Sequence, residues 1–95
     1  MPASELKAAL TEIASHVEHA SRAPLNAHQS AELRKSIAVI TASWPSGDAA
    51  LGRASWLITS LTLSGILSAP SRQPTMPDQL LRDCWFLITH LETRG

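Results

Sequence analysis

Apolar residues form four helical stripes along this chain, separated by proline- and glycine-bearing breaks. In the first stripe Leu6, Leu10, Ile13, Val17 and Ala20 recur at i, i+4, i+7, i+11 and i+14, which predicts a helix over 4–22. Ser4 is placed as its cap, and Glu5 lies in the first turn where the helix dipole favours a negative charge. Pro24 biases Ala23 away from the helical region and ends the element. Asn26 with Gln29 then resembles a capping box, and Leu33, Ile37, Ile40 and Trp44 give a second helix over 26–44. Pro45 stops it, and "PSGD" reads as a turn.

The third stripe differs from the first two. With Asp48 as cap, a helix is predicted over 48–69. Ala54, Leu57, Ile58, Leu61, Gly65 and Ala69 cluster on one side of it, and Trp56, Leu63 and Leu67 lie nearly opposite. Ser60, Ser64 and Ser68 form a small-residue ridge between the two. Two apolar faces on one helix imply two packing partners. After the loop "PSRQPTMP", a fourth helix is predicted over 76–92, with Pro77 in its first turn. Leu80, Cys84, Leu87 and Leu91 form one row of it, and Leu81, Trp85 and Ile88 form the row beside it.

A bilayer crossing needs about 20 mainly apolar residues spanning about 30 Å. The uncharged stretch 54–69 is shorter, about 24 Å as a helix, and carries six serines and threonines. It reads as a core helix rather than a membrane span. The predicted fold is all-α, one domain over 1–95, a compact antiparallel bundle of four short helices.

Composition narrows the function. A 95-residue chain buries only about 60–65% of its unfolded surface. Its one cysteine, Cys84, provides no disulfide within the chain. Pairing of two copies is the remaining common source of stability, so a homodimer is expected. The interface is assigned to the second apolar faces: Trp56, Leu63, Leu67, Trp85 and Ile88. Trp44 is assigned to the core. A formal net charge of +0 gives no pull toward nucleic acid. The free cysteine and the lack of a basic-then-apolar start fit a cytoplasmic protein. An alanine- and arginine-rich composition fits a bacterial or phage source.

Candidate chemistry is thin. His16 and His19 share a polar face with Glu12, but that spacing suits metals poorly and reads as a solvated surface. "SELK" matches a serine–lysine nucleophile motif by chance, without companion motifs. Cys84 sits among Leu80, Leu87 and Ile88 and reads as inert filler. A helix-turn-helix over 31–58 has only Arg34, Lys35 and Arg53 to offer phosphates. No catalytic, cofactor or metal residues are assigned. The expectation is a non-enzymatic adaptor, chaperone-like cofactor or inhibitor acting on a protein partner through apolar helix faces. The alternatives are a small DNA-binding regulator and a ligand- or metal-binding bundle.

Overall fold

The computed structural model describes residues 3–69, 71 and 73–94. Pro70 and Arg72 of the predicted loop lie outside the described residues. The described residues contain four helices and no strand: α1 (Ala3–Ala20), α2 (Ala27–Ser43), α3 (Leu51–Leu63) and α4 (Pro77–Arg94). Helix α1 already includes Ser4, so that serine is a helical residue rather than a cap.

Helix α2 begins as its sequence requires. Asn26 Oδ1 accepts the Gln29 backbone N–H at 2.8 Å, and Gln29 Oε1 accepts the Asn26 N–H at 3.0 Å. Two donors that a helix start leaves unpaired are thereby satisfied. At the other end Trp44 is extended (φ -68°, ψ 129°), the conformation a residue before proline prefers.

Helix α3 is shorter at both ends than its stripe predicts. Asp48 does not cap it directly. Its Oδ1 accepts the Ala50 N–H at 2.7 Å and its backbone carbonyl accepts the Leu51 N–H at 3.1 Å, so it shapes the turn that precedes the helix. The helix stops at Leu63 because Gly65 takes a left-handed φ of 84°, which side-chain-bearing residues adopt only at a cost. Ser64 Oγ donates to the Leu61 carbonyl at 2.7 Å and helps close the end. The chain then turns inward, burying Ile66 and Leu67. Arg34 of α2 donates to the Leu67 carbonyl and holds this segment down. Periodicity continued past Leu63 in the sequence because the turned segment is apolar for its own reasons.

Helix α4 opens on Pro77, whose fixed φ suits a first helical position and whose missing N–H is not needed there. Met76 before it has a left-handed φ of 53°, a conformation that costs a side-chain-bearing residue about 1–2 kcal/mol.

Helix α1 lies against α2 on one side and α4 on the other, while α3 lies against α4 and more lightly against α2. Among the described residues no Cα of α1 comes within 8 Å of one of α3, nor one of α2 within 8 Å of one of α4, so these are the diagonal pairs of the bundle. The core is filled by Leu6, Leu10, Ile13 and Val17 of α1, Leu33 and Ile40 of α2, Leu57 and Leu61 of α3, and Leu80, Leu87 and Leu91 of α4. Each such side chain contributes about 1.5–3 kcal/mol of transfer free energy on burial. The radius of gyration is 12.5 Å, close to the roughly 12 Å of a compact chain this long.

Candidate functional site

The buried carboxylates among the described residues, Asp48 and Asp83, lie at the contact between α4 and the segment containing α3. At its start, Asp48 Oδ1 lies 2.8 Å from His90 Nε2. Further along, Arg53 Nη1 donates to Asp83 Oδ1 at 3.1 Å, and Gln79 Nε2 donates to the same oxygen at 3.3 Å. Asp83 is fully buried, and its Oδ2 has no hydrogen-bond partner among the described residues. The Arg53 guanidinium also stands 4.6 Å from the centre of the Phe86 ring. That one cation thus compensates a buried carboxylate, lies over an aromatic face, and keeps close to half its side chain in water.

Outside this seam the surface becomes apolar. Leu63 is 74% exposed, Met76 71%, Trp56 55%, Trp85 54% and Phe86 50%. These large apolar side chains lie on α3, on α4 or just before α4, whereas α1 and α2 keep theirs inside or half-buried. They are joined. Trp56, Leu63 and Met76 line a groove of about 260 Å³, floored by Leu80 and edged by Ser60 and Gln79. Arg53, one turn before Trp56 on α3, links that groove to Phe86. Trp85 and Phe86, with Arg82, Thr89 and His90, line a shallow open hollow on α4.

The residues assigned to an interface from sequence divide accordingly. Trp56, Leu63 and Trp85 are exposed on this face. Leu67 and Ile88 are buried in the chain's own core and present little to a partner. Leu67 is inside because α3 ends before it. Ile88 is inside while Trp85 of the same row is exposed, so the edge of the core runs between them. Met76 and Phe86 belong to the face without having been assigned to it. Phe86 lies one step round the helix from the Trp85 row, and its size next to Arg82 was the available signal. Met76 sat in a loop, where periodicity is silent. Trp44 is buried, as assigned, and its indole N–H finds no acceptor among the described residues.

Little of this arrangement suits bond-making chemistry. Burial and the nearby Asp83 charge push the Cys84 thiol up to about 12 from an ordinary 9.0, so it stays protonated and unreactive. His16 donates from Nδ1 to the Glu12 backbone carbonyl at 2.7 Å rather than facing a shared ion. Among the described residues no three histidine, cysteine or carboxylate side chains converge as a metal site. No helix among them is long and apolar enough to cross a membrane. Two of the three cations near the supposed helix-turn-helix are engaged internally, Arg34 with the Leu67 carbonyl and Arg53 with Asp83. No family model matches the chain, and no curated protein or solved structure matches it either.

Proposed function

We propose that this chain is a small non-enzymatic interaction protein that binds a protein partner through the outer face of α3 and α4. One observation carries the reading: five large apolar side chains, each at least half exposed, lie on α3, on α4 or just before α4, in a chain whose core is already filled. Together they offer on the order of 600 Å² of apolar surface, at the upper end of what a typical monomer exposes in one patch. Tryptophan at such a face is the residue most enriched among interface hot spots, and arginine is next to it in that ranking. Arg53 and Arg82 supply the polar edge.

The fuller form of the proposal is an antiparallel four-helix bundle that pairs with a second copy and works in the cytoplasm as an adaptor, chaperone-like cofactor or inhibitor. The order of contacts supports opposed α3 and α4: Asp48 meets His90, Arg53 meets Asp83, and Leu63 shares a groove with Met76. A DNA-binding role is the weaker alternative, because the outward side of α3 presents Trp56 and Leu63 where phosphate-seeking cations would be needed. A metal-binding role has only the dispersed histidines to support it.

The test is retention of host proteins on the immobilised chain. Replacing Trp56 and Phe86 together by serine is expected to abolish capture of the partner. Lys35→Glu, on exposed α2 surface, is expected to leave it intact. Equal capture by both variants would place the binding surface elsewhere.

A further inference from the structure

We infer that the cleft between α2 and α3 binds a small neutral aromatic molecule that carries one hydrogen-bond acceptor, with Trp44 Nε1 as the donor that recognises it. The site is separate from the apolar face of α3 and α4. The cleft and the Trp56–Leu63–Met76 groove share no lining residue.

The cleft comes from the way the bundle closes. Helices α2 and α3 are neighbours, yet they touch more lightly than any other adjacent pair. Between them lies a hollow of about 190 Å³, walled by Ile40 and Trp44 on one side and by Leu51, Ala54 and Ile58 on the other. Leu51 and Ile58 are only half-buried, so the seam leaves apolar surface for a guest to cover. Exposed Thr41 and Ser55 complete the lining. An apolar cavity of about 150 Å³ holds benzene, so a hollow of about 190 Å³ admits one substituted ring.

Trp44 determines what that ring carries. The residue is 7% exposed, and its indole N–H is closed off from water and meets no acceptor among the described residues. Buried donors in folded proteins are nearly always paired. An indole nitrogen only donates, so its complement is an acceptor: a carbonyl, ether or hydroxyl oxygen. No charged side chain lines the cleft, so an ionised acid has nothing there to compensate its lost hydration. That selects a neutral guest. Because the N–H is out of reach of water, the guest meets it by parting α2 from α3 or by turning the indole ring. The light contact between these two helices keeps the cost of that opening low, since few packed groups are given up.

Proton–nitrogen correlation spectra of the wild-type chain test the site. The probe is acetophenone, and the comparison is α-methylstyrene, which has nearly the same shape without the oxygen. Acetophenone is expected to move the Trp44 indole N–H signal downfield and saturably. It is expected to bind about ten-fold more tightly than α-methylstyrene, or about 1.4 kcal/mol, the worth of one hydrogen bond. The Trp56 and Trp85 indole signals are expected to stay in place. Trp44→Phe is expected to keep the apolar contact and lose the preference for the ketone. Ser55→Leu, at an exposed position, is expected to close the cleft to both probes. Should either variant fail to fold, the wild-type comparison decides alone. The inference is overturned by a Trp44 signal that does not move, by equal affinity for the two probes, or by shifts confined to Trp56 and Trp85. None of these outcomes bears on capture of a protein through the α3–α4 face.

Discussion

Arg53 ties α3 to α4 through Asp83 and the Phe86 ring. It is the cation that compensates Asp83, a carboxylate with no exposure and one oxygen unpartnered among the described residues. Removing one member of such a pair leaves a buried charge uncompensated. Arg53→Met is therefore expected to destabilise the fold by about 3 kcal/mol in urea unfolding. Arg53→Met combined with Asp83→Leu is expected to recover most of that loss, because no charge is then left inside. Cys84 gives a pH signature of its own. Its folded thiol sits near 12 against an ordinary 9.0, so the native state holds a proton that the unfolded state releases earlier. The resulting stabilisation is complete below about pH 9 and is lost as pH rises through about 12. In Cys84→Ala the decline in stability over that window is expected to be shallower. Native protein at pH 8 is expected to resist iodoacetamide until urea exposes the thiol. The inertness of Cys84 was legible in its neighbours Leu80, Leu87 and Ile88. The partners of Asp83 and Asp48 were not, since a pattern along one helix does not reveal which side chain of another helix will face it.

At the level of elements, capping and turn chemistry decide where each helix ends. Asn26 and Gln29 announce the start of α2 in the sequence and form the box in the structure. Asn26→Ala is expected to lower stability by about 1 kcal/mol, read as a shift in the thermal midpoint. Gly65 was harder to read. Within an apolar period it looks like a tolerated helix glycine, yet its φ of 84° ends α3 and sends Ile66 and Leu67 into the core. Gly65→Ala is expected to cost about 1–2 kcal/mol, because alanine in the left-handed region is strained. That turn also makes the outward face of α3 shorter than the apolar stripe predicts. Trp56 and Leu63 do face outward, but Leu67 follows the turn and leaves them. Stripes identify which residues share a side of a helix, not where the helix stops or which side meets water.

For the whole molecule, a filled core and an open apolar face belong together. Helix α1 is covered on two sides by α2 and α4, while α3 lies at the margin with only α4 closely against it. The marginal helix and the outer side of α4 are where surplus apolar surface accumulates. The all-helical class and the number of helices were legible in the period of the apolar positions. The identity of the exposed face was legible only in part, because exposure is settled by contacts between helices.

Hydroxyl-radical footprinting of dilute and concentrated protein tests most directly whether the α3–α4 face is where this chain binds protein. Trp56, Leu63, Met76, Trp85 and Phe86 are expected to react readily in dilute solution and to become protected together as concentration rises. Trp44, already buried, is expected to stay unchanged. Protection confined to α1 or α2, with these five side chains reactive throughout, would contradict the assignment of the face.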